Sequence, residues 1–448
     1  MKIDAIVLAA GKGTRMLSPE PKVLHKLATK PLLQHVIDTL SDLKNCKTHI
    51  VIGSQSALVK KSVISPKNCS WPVQSKQLGT GHAVKQALKN VRPNSIVLVL
   101  YGDVPLVTSK TMKKLIKVAG TKQLGLLTFE LENPKGYGRI IRNARGGVEG
   151  IIEEKDASAG QRKITEVNSG ILAISSNKIR SLISALKNNN VAKEFYLTDI
   201  VSLAVKNQIP VKAVKPITTE EVLGANSLEE LSVLERAFHL KQAKEFMSKG
   251  VGFADLNRVD FRGNIEIKKG SYVDINCIFE GQVDIGSNVK IGAGVIIKNS
   301  KIGNGVTLEP YTVVENSILE KGVKAGPYAH IGPEANLSEN SEIGNFVEVK
   351  RSKIGKGTKA KHLAYIGDGK VEEKVNIGAG TIFVNYDGKN KNKTSVGTGS
   401  FIGSNSSLIA PLKIGKNSLI GAGSVITNDI PANKLALSRT KQRNIKKK

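Results

Sequence analysis

Residues Leu8 to Met16 read LAAGKGTRM, an apolar run that opens into a glycine-rich loop with two basic side chains. Glycines let backbone N–H groups approach an anion, and Lys12 and Arg15 add positive charge, so the stretch has the makings of a phosphate-binding turn. It is not a P-loop, because G-x-x-x-x-G-K-[ST] is absent. It is not a dinucleotide fingerprint either, because Met16 stands where a third glycine would sit. An ordinary turn between a strand and a helix would use the same residues. A second candidate is YGDVP, where Tyr101 ends an apolar run and Asp103 offers a carboxylate; Gly-Asp also suits a plain turn. A third is KAKHLAYIGD, with His362. Histidine titrates near neutrality and can act as a general base, though a surface histidine of a repeat would look the same.

Two kinds of element must position these groups. Over the first ~230 residues, short apolar runs alternate with amphipathic stretches. IDAIVLAAG, THIVIGS and SIVLVLYGDVP read as strands, and LLQHVIDTLSDL and GTGHAVKQALKNV as helices. This βαβ rhythm predicts a mostly parallel, doubly wound sheet, whose ligands sit beyond the carboxyl ends of the strands. Both LAAGKGTR and YGDVP fall there. From about Val273 an aliphatic residue recurs every six positions, most cleanly at Val396, Ile402, Leu408, Ile414, Ile420 and Ile426. That period predicts a β-helix solenoid, each hexapeptide forming one face of a triangular coil. It breaks at Phe383–Ser395, which reads as a loop thrown out of the coil. Between the halves, SLEELSVLERAFHLKQAKEFMSKG predicts a connecting helix of about 22 residues stopping at Gly250.

Composition narrows the choice of partners. The chain has 448 residues and a formal net charge of +29, which favours anionic partners. The basic residues are scattered, however, and only the terminal KQRNIKKK clusters, so the charge reads as solvated faces. Aromatics are 4% and no recognition motif is present, which argues against a nucleic-acid-binding protein. No apolar run approaches the ~20 residues of a membrane span. The N-terminus enters a strand-like segment directly, so the expectation is a soluble, cytoplasmic protein. Cys46, Cys69 and Cys277 are too few and too dispersed to suggest a disulfide framework or a zinc site.

The wider stretch LAAGKGTRMLSPEPKVLHKLATKPLLQHVI resembles the start of sugar-1-phosphate nucleotidyltransferases. QLGTGHA, YGDVPL, GYGRI, EEKDA and EVNSGI follow in order. Together with the hexapeptide half, the chain resembles over nearly its whole length the bacterial bifunctional N-acetylglucosamine-1-phosphate uridyltransferase / glucosamine-1-phosphate acetyltransferases. The resemblance implies an α/β doubly wound (Rossmann-like) nucleotidyltransferase domain at 1–228. A linker helix at 229–249 and a left-handed parallel β-helix of hexapeptide repeats at 250–448 would follow. It also implies a homotrimer, and a place in peptidoglycan synthesis and cell-wall biogenesis.

The resemblance implies two reactions. Glucosamine 1-phosphate is acetylated from acetyl-CoA, and UMP then passes from UTP to N-acetylglucosamine 1-phosphate. For uridylyl transfer, Arg15 and Lys22 resemble the cations that hold the triphosphate and the attacking phosphate. Asp103 and Asn226 resemble the Mg²⁺ ligands; Asn226 alone would read as a helix cap. Leu8, Ala9, Ala10, Gly11, Gln74, Gly79 and Thr80 match nucleotide positions. Tyr101, Gly138, Glu153 and Asn168 match sugar positions. For acetyl transfer, His362 resembles the general base. Lys350 and Tyr365 match acceptor positions, and Asn376, Ala379, Asn385 and Tyr386 lie around the sugar and acetyl-CoA. Ser404, Ala422 and Arg439 match acetyl-CoA positions.

One departure stands out. The family usually has Arg-Pro-Gly after PYAHI, where this chain has Gly332-Pro333-Glu334. Losing that arginine's charge-assisted contact to the sugar phosphate costs about 1.5–3 kcal/mol. Lys361, where the family usually has glycine, is a candidate to compensate, and Gly332→Arg is the natural restoration. The alternative reading is a uridyltransferase whose β-helix serves only as a trimerisation scaffold.

Overall fold

The computed structural model describes residues 1–11 and 13–446, the side chain of Thr14 excepted. Lys12 and the last two lysines of the basic tail therefore lie outside the described residues. The chain divides into two compact units, Met1–Ala237 and Phe238–Lys448, with the division inside the helix Leu228–Ser248.

The first unit is built on a sheet whose central strand, Ile3–Ala9, is buried at all seven positions. A strand with both faces covered must be apolar throughout, which is why it reads as a continuous hydrophobic run. Cys46–Ile52 and Ile96–Tyr101 flank it in parallel, with Leu8 level with Val51 and Tyr101. Cys69–Ser70 extends one side of the sheet. On the other side come Glu166–Ser175, Leu124–Glu130 and Val211–Val214. Glu166–Ser175 runs antiparallel to both its neighbours, so the doubly wound sheet is mixed at this point. A hairpin, Arg139–Arg142 with Val148–Ile152, is attached to that strand. The helix Leu32–Ser41 buries Leu32, Leu33, Val36, Ile37 and Leu40, the i, i+3, i+4 stripe of a helix covering a sheet.

The second unit is a parallel β-helix. Its short strands form one ladder of 11 strands and another of 17. Most coils advance 17 or 18 residues, as in Ile296↔Val313 and Val259↔Cys277, and the coil that carries the ejected loop advances 25, as in Phe383↔Leu408. The repeating aliphatics point inward: Val396, Ile402, Leu408 and Ile420 have no exposed surface. Coiling begins about twenty residues before the repeat is visible in the sequence, at Gly252–Phe253, which pairs with Tyr272–Val273. The six-residue step does run through Phe261, Ile267, Val273, Phe279 and Ile285. Aromatic rings at two of those positions hide it, and they stack on each other at 5.6 Å.

The expected loop Phe383–Ser395 is narrower than its sequence suggests. Phe383 is fully buried and paired with Leu408, and Thr394 has rejoined the ladder opposite Gly369. Only residues 385–393 leave the coil. Phe383 is itself the sixth residue after Ile377, and its ring fills an aliphatic position.

Candidate active sites

In the first unit, a cavity of about 330 Å³ opens at the carboxyl ends of Ile3–Ala9 and Ile96–Tyr101. Leu8, Ala9, Ala10 and Gly11 form one wall, and Gln74, Gly79 and Thr80 another. A Cβ on Gly11 would meet nothing within 4 Å, so the loop there borders open space. Gly13 is different: its φ is +62° and a Cβ would lie 2.6 Å from that of Lys22. Glycine is what lets the loop close over Lys22.

Four polar groups converge at this cavity. The Lys22 ammonium is held by the Asp103 carboxylate and donates to Asn226 Oδ1 at 2.7 Å. Arg15 donates to the same amide oxygen at 3.0 Å. Asn226 is not the helix cap. Ser227 Oγ accepts from Glu230 N, and the Glu230 carboxylate accepts the Asn226 backbone N–H at 2.6 Å. This near-capping-box frees the Asn226 side chain to face the cavity. Ala225 N donates to Asp103 O, stitching the two segments together. An oxygen from Asp103 and one from Asn226 thus meet on a single cation, here an ammonium, and this donor set suits a hard divalent ion. Among the described residues no cluster of three or more His, Cys, Asp or Glu could hold a metal. An ion here would rely on water and substrate phosphate for its remaining ligands.

Gly138, Glu153 and Asn168 do not line this cavity but join one another beside Tyr101. Asn168 N donates to Gly138 O at 2.8 Å, and a Cβ on Gly138 would lie 3.5 Å from Glu153 Oε2. Gly170 is forced by the ring of Tyr101, which a Cβ there would meet at 2.4 Å. Burial raises the Glu153 carboxyl above its ordinary range, against the Thr198 hydroxyl that donates to it at 2.8 Å. Burial, then the Glu153 and Asp103 carboxylates, push the Tyr101 hydroxyl well up. Gln77 and Ala83, the two ends of QLGTGHA, also line the cavity, as does Glu194, which no motif in the sequence marks.

In the second unit the candidates sort onto two sides of one corner. His362 lies level with Asn345 on the preceding coil, and its Nδ1 is 2.7 Å from Asn345 Oδ1. An amide oxygen can only accept, so Nδ1 carries the hydrogen, and in the neutral ring Nε2 is the nitrogen left with a lone pair. Pairing of Ala360 with Ile377, Ile377 with Ile402, and Ile402 with Ile420 places His362, Ala379, Ser404 and Ala422 in one column on successive coils. Arg439 donates to Ala422 O at 2.9 Å at the end of that column. At about 4.8 Å per coil, it is about 14 Å from His362 to Ala422.

Around the corner, Tyr365, Asn385 and Asp368 meet, with Tyr365 OH 3.4 Å from Asn385 Nδ2. Arg351 grips Asp368 through two bonds of 2.7 and 2.8 Å, and holds its carboxyl below the usual range. Lys350 lies level with Gly367 and 3.9 Å from Glu348. Asn376 pairs with Lys359 on the His362 side, and Tyr386 closes onto Gly388 O within the ejected loop.

Two expectations about the missing arginine change. Gly332 is buried with φ +127°, and a Cβ there would lie 2.0 Å from Glu315 O. Gly332→Arg is therefore no simple restoration, because this backbone has no room for a side chain. Lys361, the candidate to stand in for the arginine, already has a partner. Its ammonium is taken by Glu342, whose carboxyl it draws below the ordinary range.

Comparisons with known proteins agree with both halves. A family described as MobA-like NTP transferase domain matches residues 5–163, and one described as bacterial transferase hexapeptide (six repeats) matches 393–428. The bifunctional protein GlmU of Idiomarina loihiensis is 47% identical over 99% of this chain and 97% of its own length. Those of Marinobacter nauticus and Nitrosospira multiformis are 44% and 46% identical, covering 97% and 96% of the relatives. The chain belongs to the bifunctional GlmU family. As a GlmU-family chain it is a bifunctional uridyltransferase and acetyltransferase, and nucleotidyltransferases of this kind use a divalent metal. No helix among the described residues is long and apolar enough to cross a membrane. Asn345 belongs to none of the motifs above and sits 17 residues before His362. One coil length is the signal that could have found it.

Proposed function

We propose that the first unit transfers UMP from UTP to N-acetylglucosamine 1-phosphate and the second acetylates glucosamine 1-phosphate from acetyl-CoA. The observation that carries this reading is the convergence of Arg15, Lys22, Asp103 and Asn226 at the strand-end cavity. In the first reaction a phosphate oxygen of the sugar phosphate attacks the α-phosphorus of UTP, and pyrophosphate leaves. Such a transfer needs alignment and charge neutralisation more than covalent help. Arg15 and Lys22 supply the positive charge, with Lys22 passing from its Asp103–Asn226 hold to the substrate phosphates. Asp103 and Asn226 would hold the divalent ion, Mg²⁺ on the hardness of their oxygens, which neutralises the triphosphate. Leu8, Ala9, Ala10, Gly11, Gln74, Gly79 and Thr80 seat the nucleotide. Tyr101, Gly138, Glu153 and Asn168 seat the sugar.

In the second reaction the amine of glucosamine 1-phosphate attacks the thioester carbonyl and the coenzyme leaves as its thiol. The amine's proton goes to Nε2 of His362, whose ring the Asn345 bond holds in place through Nδ1. Lys350, Tyr365, Asn376 and Asn385 hold the acceptor, with Tyr386 beside it. Ala379, Ser404, Ala422 and Arg439 mark the line along which an extended acyl carrier lies. The setting we propose is a cytoplasmic homotrimer, checked by sedimentation at micromolar concentration. The reading is tested on one preparation: pyrophosphate release from UTP with N-acetylglucosamine 1-phosphate and Mg²⁺, and thiol release from acetyl-CoA with glucosamine 1-phosphate. Both rates above background are expected, and background thiol release would withdraw the second half of the proposal.

A further inference from the structure

The Gln74 side chain is nearly buried, at 4% exposure, and borders the nucleotide cavity. Its backbone N–H donates to Ile52 O at 2.8 Å, which fixes where the side chain starts. Its amide nitrogen lies 3.0 Å from Gly79 O and 3.1 Å from His82 Nδ1. A backbone carbonyl can only accept, so the first contact assigns the NH₂ end of the amide. That group has two hydrogens. One goes to Gly79 O, and the other needs a lone pair on His82 Nδ1. His82 must then be neutral with its proton on Nε2, which lies 3.0 Å from Nε2 of the Gln86 amide; that amide has to be turned end for end, oxygen toward the ring, to accept the proton. Burial, with Lys85 nearby, keeps the imidazole's pKa below the ordinary histidine value, the direction that favours the neutral ring this arrangement needs.

With both amide hydrogens engaged, Gln74 Oε1 is left, and no hydrogen bond among the described residues occupies it. We propose that His82 is a positioning residue for base selection, locking the Gln74 amide so that the cavity presents an acceptor to the pyrimidine edge. Uracil carries an N–H donor at N3, whereas cytosine has a lone pair there and would face oxygen against lone pair. A fixed acceptor therefore favours UTP over CTP, and an amide free to rotate would serve both. Polar groups held in one orientation discriminate far better than apolar walls, because the wrong ligand leaves them unpaired. This inference rests on the placement of the nucleotide beside Gln74 proposed above.

The test compares kcat/KM for UTP and CTP in the full-length enzyme with N-acetylglucosamine 1-phosphate and Mg²⁺. His82→Leu removes the acceptor, and the UTP-over-CTP ratio should fall about tenfold, the scale of one hydrogen bond. The change should appear in the KM for UTP, with the KM for the sugar phosphate and the rate of thiol release unchanged. His82→Asn puts an amide oxygen where Nδ1 stood and should recover most of the ratio. A ratio within twofold of wild type in His82→Leu overturns the proposal. So does ¹⁵N NMR of histidine-labelled wild type that shows a hydrogen on Nδ1 of His82 at neutral pH, a readout that does not depend on the variant folding. Gln74→Leu separates the two levels of the argument. Unchanged UTP kinetics in that variant would remove the base from Gln74 altogether. Altered kinetics there, beside an unaffected His82→Leu, would retain the nucleotide site and reject only the role of His82.

Discussion

The two sites are assembled on opposite principles. In the first unit, groups distant in sequence are drawn to one point: Arg15 and Lys22 of the N-terminal stretch share the amide oxygen of Asn226, and Asp103 holds Lys22 from a third segment. In the second, His362, Ala379, Ser404 and Ala422 are laid one per coil along a line and owe their positions to the repeat. The convergent site is electrostatically coupled, so removing one member disturbs the others. The linear site is divided into rungs, so each member should fail by itself.

Substitutions can break or sharpen that contrast. The largest effect expected is from His362→Ala, which should lower thiol release by about 10²–10⁴-fold, the usual worth of a general base. Pyrophosphate release should not change; a parallel loss would mean that the two reactions are not separately housed. Lys22→Ala should cost about 10²–10³-fold in pyrophosphate release, as for other preorganised charge contacts. In a double variant with Asp103→Asn the losses should be far from additive, which steady-state assays of the cycle will show. In the repeat, Phe383→Ala opens a fully buried site and should destabilise the coil by about 3–5 kcal/mol in denaturant melts. Gly332→Arg should lower rather than raise acetyl transfer, with about 1–3 kcal/mol of backbone strain visible in the same melts. A gain in thiol release would show that this stretch of coil can change its path.

The smallest effect concerns Glu153. Burial raises its carboxyl, so the protonated form is the one folding favours. Its stabilisation is complete below the unfolded carboxyl's pKa and is lost as pH rises through the folded value. At neutral pH the charged form is a burden. Glu153→Gln should raise the melting temperature there by a few degrees, at about 2–4 °C per kcal/mol. The advantage should vanish in acid, and sugar-phosphate KM should suffer throughout.

Much of this was legible in the sequence, for physical reasons. The strand Ile3–Ala9 and its loop could be read because a doubly covered strand needs an unbroken apolar run. The coil could be read because an inward aliphatic must recur at every face. What escaped reading depends on contacts across the fold. Phe261 and Phe279 obey the period but are aromatic, so the first coils stayed hidden. Phe383 looked like the start of a loop and is core. The reversed direction of Glu166–Ser175 leaves no mark in its residues. Asn345 could be linked to His362 only by counting one coil back. The Glu342 carboxylate beside Lys361 and the Glu315 carbonyl beside Gly332 are contacts between coils that no local pattern announces.

The corner column carries an evolutionary consequence. A site strung along a repeat can be lengthened or shortened in whole rungs. Duplicating or deleting one coil would move Ala422 by about 4.8 Å relative to His362 and leave every remaining coil packed as before. Reach along the acyl carrier is thus inherited in discrete increments. The interlocked cluster around Asn226 offers no such gradation, and its lineage can vary it only by exchanging one side chain for another.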